Sequence, residues 1–221
     1  MAAAFAKPIR ILLADDHAVV RKGIELIAQE EPDIEMVGSA KDGREAVELF
    51  QKLKPDVVIL DHTMPGLNGL EAAAQISKLD PAANMIMLSI HTDETYIMRA
   101  ISAGVRGYVS KESAEDEIVD AIRTVARNKP YLSSAIRLRL LAGDAQYQRD
   151  DLRDPYDALT SREKETLQLV AEGKTNKEIA AILGLSPHTV ETHRTNLMQK
   201  LNLHSVVDVV TFAVRRKLIN S

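Results

Sequence analysis

Between residues 9 and 127, short apolar runs alternate five times with amphipathic stretches. The runs fall at 9–14, 34–40, 57–60, 85–89 and 105–110. Val57-Val58-Ile59-Leu60 is unbroken and rich in β-branched side chains, as suits a strand buried on both faces. The stretches between carry helical signals. Asp42 can N-cap a helix that turns Ala46, Val47, Leu49 and Phe50 inward, and Gly104 stands where a helix should stop. Strand–helix alternation with short connections predicts an α/β doubly wound, five-stranded parallel sheet.

That topology gathers polar residues at one edge. Asp15 and Asp16 end the first strand, Asp61 the third and Ser89 the fourth, and Lys111 follows the fifth. Carboxyl ends of parallel strands share an edge, and open α/β sheets bind ligands there. A lone strand-end Asp can be no more than a turn residue. Three carboxylates in one pocket, however, repel one another unless a cation joins them. Hard oxygen ligands that leave room for water and a phosphoryl oxygen suit Mg²⁺. With the metal in place Asp61 can attack phosphorus, while Lys111 supplies positive charge and Ser89 a hydroxyl donor. His17 and His62 flank the acids, but the oxygen set already suits Mg²⁺, so both are expected to be solvent-facing neighbours rather than ligands.

Composition narrows the functional classes. The 221 residues contain no cysteine, which excludes disulfides, thiolate metal sites and cysteine nucleophiles. No apolar run approaches the roughly 18 residues a membrane span needs, and residues 1–7 lack the basic and apolar regions of a signal peptide. A cytoplasmic protein with no membrane partner is expected. The formal charge of −4 is uneven: residues 1–130 carry −6 and residues 156–221 carry +2, so the back is the better candidate for a polyanion partner.

After Asn128-Lys129-Pro130, a short apolar-periodic stretch through Ile136 and Leu141 predicts one helix, either in a linker or as an extension of the front domain. The polar residues 143–156 predict a flexible tether. Thr160 to Glu163 and Thr175 to Glu178 then fit capping boxes, Ser186-Pro187 fits an N-cap with Pro at N1, and Ser205 opens a fourth helix through Val206, Val209, Val210, Phe212 and Val214. Helix, Gly184 turn, helix is the helix-turn-helix pattern. The helix after Gly184 would enter the major groove of double-stranded DNA and turn His188, Glu191, Thr192, Thr195 and Asn196 outward. Arg194 and Lys200 can reach phosphates, and first-turn amides near Lys177 and Thr189 can donate to phosphate oxygens. A four-helix structural module with no DNA role remains the alternative on pattern alone.

The motifs go further. Ala14-Asp15-Asp16-His17, Leu60-Asp61-His62-Thr63-Met64-Pro65-Gly66-Leu67-Asn68-Gly69, Leu88-Ser89 and Gly107-Tyr108-Val109-Ser110-Lys111 resemble the CheY-like receiver domain of two-component response regulators. Leu159-Thr160-Ser161-Arg162-Glu163, residues 173–180, residues 186–193 and Lys200-Leu201 look like the LuxR-type helix-turn-helix. Together the chain resembles a NarL/FixJ-family regulator. The resemblance implies a receiver over 1–128, a linker over 129–156 and a DNA-binding domain over 157–221. It implies Asp61 as phosphoacceptor, Asp16 as a direct Mg²⁺ ligand, Asp15 acting through water, the Thr63 carbonyl as a further ligand, and Ser89 with Tyr108 as the switch. It also implies a sensor histidine kinase as donor, a homodimer when active with the last helix contributing, and RNA polymerase as a further candidate partner. Two positions depart from the family pattern. Glu112 stands where many receivers have proline, which leaves the isomer of that peptide bond open. Val206-Val207 stands where an arginine is frequent, which puts a phosphate contact there in doubt. A phosphotransferase with an aspartyl nucleophile, and a constitutive DNA binder whose receiver only dimerises, are the competing readings.

Overall fold

A computed structural model describes residues 7–141 and 154–219, which form two compact units. The first holds one parallel sheet. Its strands are β1 (Ile9–Ala14), β2 (Ile34–Ala40), β3 (Val57–Asp61), β4 (Met85–Ser89), β5 (Gly107–Ser110) and β6 (Tyr131–Leu132), in the order β2-β1-β3-β4-β5-β6. Helices α1 (Ala18–Glu30), α2 (Gly43–Leu53), α3 (Gly69–Leu79), α4 (Glu94–Ser102) and α5 (Ala114–Val125) connect them. Side chains alternate across a strand. Ile11, Leu13, Ile59, Ile86 and Leu88 therefore pack on one face with Ile24 and Ala28 of α1 and Ile118, Ile122 and Val125 of α5. The chain winds from β1 outward to β2, then returns to place β3 on the other side of β1. Strand order reverses at that point, and a crevice opens beyond the carboxyl ends of β1 and β3.

The sheet has six strands, where five were expected. Asn128 takes a left-handed conformation (φ 59°) and turns the chain back along β5. Tyr131 pairs with Gly107 and Leu132 with Tyr108, and the Ser133 amide donates to the Tyr108 carbonyl at 3.0 Å. Two residues are too few for an alternation pattern to show. Helix α6 (Ser134–Leu141) follows with Ile136 fully buried, and Glu117 of α5 accepts from the Ser134 amide (3.0 Å) and the Tyr131 hydroxyl (3.0 Å). Tyr131 to Ile136 thus pack against the sheet and α5 of the first unit. The tether expected over 143–156 lies outside the described residues up to 153; Asp154 already caps a short turn, Pro155–Ala158.

The second unit is helical: α7 (Ser161–Ala171), α8 (Asn176–Leu183), α9 (Pro187–Leu201) and α10 (Val206–Arg215). Both expected capping boxes form, so Thr160 with Glu163 and Thr175 with Glu178 satisfy helix-start amides reciprocally. Gly184 ends α8 at φ 65°, a conformation that favours glycine and lets α9 set off in a new direction. Leu167, Val170, Ile179, Leu183, Val190, Leu197, Val209 and Ala213 form the core. Val206 is 45% exposed and Val207 72%, because Val209 and Ala213 define the packed face of α10. Among the described residues no helix is long and apolar enough to cross a membrane.

Candidate functional site

Four strand ends bring the expected acids, hydroxyl and ammonium to the crevice. Asp15 follows β1 and is fully buried; Asp61 closes β3 and is 3% exposed. Lys111, in the turn after β5, places Nζ 2.8 Å from Asp15 Oδ2 and 2.9 Å from Asp61 Oδ2. One ammonium thus bridges two buried carboxylates. Burial pushes the Asp61 carboxyl up to about 6, and the charge of Asp15 adds to this against the opposing pull of Lys111. Burial alone would lower Lys111, but hydrogen bonds and charge from Asp15 and Asp61 hold its ammonium above the usual lysine range. The Lys111–Glu112 peptide is trans, as are all described peptide bonds.

The donor set fits a hard divalent cation. Ligand atoms of Asp15, Asp16, His17 and Asp61 all lie within 4.8 Å of one another, and a cation held there would oppose both the burial and the Asp15 charge that raise the Asp61 carboxyl. The Thr63 amide donates to Asp61 Oδ1 at 3.5 Å, which keeps the Thr63 backbone beside the acid. One of the two flanking histidines departs from expectation. His17 is exposed, but its Nδ1 lies 2.8 Å from Asp16 Oδ1 and 3.2 Å from Asp15 Oδ1, so the ring leans on the acids. His62 is buried, not solvent-facing, because its ring packs edge-on against those of His91 and Tyr96, each at 5.4 Å.

Ser89 and Tyr108 meet at the adjoining loop. Ser89 Oγ accepts from the His91 amide at 2.9 Å, and the Tyr108 hydroxyl donates to the His91 carbonyl at 2.8 Å. The Tyr108 ring is 1% exposed, and burial pushes its hydroxyl up to about 12. The two residues therefore hold the same residue, His91, one by its amide and the other by its carbonyl. Sequence reasoning overlooked that link, since nothing in His91 itself marks it. Gly69, which the receiver-like motif includes, stands where α3 starts against the carbonyl of Asp61; an added Cβ would lie 1.9 Å from that oxygen.

In the second unit α9 exposes His188, Glu191, Thr192, Thr195 and Asn196, with Lys177 exposed in the first turn of α8. Thr189 is half-buried, its hydroxyl 2.9 Å from that of the N-cap Ser186. Lys200 is committed elsewhere: its Nζ lies 2.7 Å from Glu163 Oε2. Arg194 Nη1 donates to Asn176 Oδ1 at 2.8 Å, and Asn176 Nδ2 donates to Glu191 Oε2.

A parallel α/β unit with an acid–lysine crevice, joined to a capped helix-turn-helix, defines a receiver coupled to a DNA-binding module. Residues 11–123 match the response regulator receiver domain, and residues 157–213 match the bacterial regulatory proteins of the luxR family. The oxygen regulatory protein NreC of Staphylococcus carnosus (strain TM300) is 37% identical over 216 residues, covering 96% of this chain and 100% of the relative. The transcriptional regulatory protein LiaR of Bacillus subtilis (strain 168) is 39% identical over 212 residues, covering 96% and 100%. A crystal structure of a LuxR-family two-component response regulator from Aurantimonas sp. SI85-9A1 superposes with TM-score 0.60 at 32% identity, covering 63% of this chain and all of that one. The Salmonella typhimurium RcsB response regulator shares the fold over 95% of the chain at 23% identity (TM-score 0.58). The chain belongs to the NarL/FixJ family of two-component response regulators, transcriptional regulators with a receiver and a LuxR-type DNA-binding domain.

Proposed function

We propose that Asp61 is the phosphoacceptor and that its phosphorylation switches dimerisation and sequence-specific DNA binding. The observation that carries this reading is the bridge of Lys111 between the buried carboxylates of Asp15 and Asp61. Asp61 attacks the phosphorus of a phosphohistidine on a sensor kinase. The new bond joins Asp61 oxygen to phosphorus, the P–N bond breaks, and its electron pair returns to the imidazole. Lys111 moves its charge to the phosphoryl oxygens. Asp15, Asp16, Asp61 and the Thr63 carbonyl would hold Mg²⁺, which when bound neutralises the oxygens gathered at the site.

The output follows from the Ser89–His91–Tyr108 link. When Ser89 turns its hydroxyl to the phosphoryl group it gives up the His91 amide, and the backbone that anchors the Tyr108 hydroxyl shifts. In the second unit, the exposed Val206 and Val207 of α10 supply apolar area for a homodimer. His188, Glu191, Thr192, Thr195 and Asn196 face the major groove, with Lys177, Thr189 and Arg194 toward the backbone. Lys200 is left out of that set, since Glu163 holds it. The phosphotransferase reading loses its protein-binding bundle to the luxR-family match. A cytoplasmic protein that regulates transcription through RNA polymerase is the setting this reading implies.

Labelling with a small phosphodonor tests it. Wild-type chain should take up acid-labile phosphate in the presence of Mg²⁺ and bind a selected duplex more tightly for it, and D61N should do neither. Undiminished labelling of D61N would remove Asp61 from the role.

A further inference from the structure

Glu191 and Arg194 lie three positions apart on α9, a spacing at which opposite charges on a helix pair directly. They do not pair here. Each is held instead by the side chain of Asn176, the first residue of α8, which accepts from Arg194 Nη1 at 2.8 Å and donates to Glu191 Oε2. The orientation of the amide follows from its partners, because a guanidinium only donates and a carboxylate only accepts. Among the described residues, these two are the only hydrogen bonds or ion pairs through side-chain atoms of Glu191 and Arg194.

We propose that Asn176 is a positioning residue for DNA binding: it stands between Glu191 and Arg194, and so keeps the guanidinium from being neutralised by its own helix and leaves it available to a backbone phosphate. The inference rests on the DNA-binding reading of α9 and names the device that serves it. Direct pairing with Glu191 would fold the guanidinium onto a carboxylate and remove one cation from the counterion balance that dominates DNA affinity. The Asn176 amide carries no net charge, so it occupies the place of Glu191 beside Arg194 without cancelling the charge of the guanidinium. It also holds the acidic Glu191 beside the reading positions, where an unrestrained carboxylate would repel phosphates or seek a donor. Asn176 supplies the interaction across the helix-turn-helix, and its loss should be felt only through Glu191.

The test is a double-mutant cycle on the full-length chain treated with acetyl phosphate. Binding is measured against salt on a duplex recovered from a random pool by the wild-type chain, and on a scrambled duplex. N176A should weaken both complexes severalfold and lower the slope of log K against log salt by about 0.9, the value for one phosphate contact. In the E191Q background the same change should have no effect on the slope, because Gln cannot neutralise Arg194. Thermal melting checks the fold, and N176S is the second variant should N176A not fold. An unchanged slope in N176A overturns the proposal. So does a slope that falls equally in the E191Q background, which would make Asn176 a direct contact or a packing residue. Failure of the DNA-binding reading looks different: the wild-type chain itself would then show no salt-dependent binding to either duplex.

Discussion

Gly69 sits so close to Asp61 that a methyl group on its Cα would lie 1.9 Å from the Asp61 carbonyl oxygen. Its amide donates to the His62 carbonyl at 3.0 Å, so the start of α3 is fastened to the end of β3. The obstacle is backbone, which has no rotamer to yield. G69A should therefore displace the strand end that carries Asp61, destabilise the receiver by about 1–3 kcal/mol, and slow phosphorylation by acetyl phosphate. Urea unfolding and a labelling time course check both; a variant with wild-type stability and labelling would show that the junction relaxes freely.

The Asp61 carboxyl, raised to about 6, links stability to pH. A carboxyl in the unfolded chain titrates near about 3.9, so the fold favours the protonated form. That contribution is fully present below the unfolded value and is lost as pH rises through about 6. At pH 7.5, with chelator present, the ionised wild-type receiver should be less stable than D61N by roughly 2 kcal/mol. The gap should close at pH 4 and on adding Mg²⁺. Denaturant melts of both proteins at the two pH values provide the check, and a D61N protein no more stable at pH 7.5 would contradict the raised carboxyl.

Lys111 and a divalent cation seek the same oxygens, since Nζ already bridges Asp15 and Asp61. Removing the ammonium takes away a competing charge. K111A should bind Mg²⁺ about threefold or more tightly, while the DNA-binding response to acetyl phosphate is lost. A calorimetric Mg²⁺ titration and a mobility-shift assay separate these effects. Weaker Mg²⁺ binding in K111A would mean that Lys111 organises the carboxylates rather than competing for them.

Glu163 closes the capping box of α7 and reaches Lys200 on α9 at 2.7 Å. Burial would raise its carboxyl, but the bonds from Lys200 and the Thr160 amide outweigh that and hold it below the usual range. The stability it contributes is present above the unfolded value and lost as pH falls through the depressed one. E163Q should cost about 1 kcal/mol at pH 7, modest because Lys200 is partly exposed, and the difference should shrink in acid. K200A should lower the melting temperature of the DNA-binding unit yet leave the salt slope of DNA binding unchanged. A slope reduced by one phosphate would return Lys200 to the DNA contacts.

The sequence alone determined what is encoded in short windows. Apolar runs, helical periodicity and caps such as Asp42, Thr160, Thr175 and Ser186 placed the elements, because each depends on residues within one or two turns. The parallel sheet then forced Asp15, Asp61, Ser89 and Lys111 to one edge, which is why that crevice was legible before any coordinates. Tertiary structure decided what rests on pairing between distant segments. Tyr131 and Leu132 are a strand only because β5 offers an open edge. His91 joins Ser89 to Tyr108 only because a loop and a strand meet. Lys200 pairs with Glu163 because that residue, on another helix, lies within its reach. Asn176 stands between two charges of α9 because the Gly184 turn brings the starts of two helices together. A side chain's partner is set by packing across the chain, and no local pattern records it.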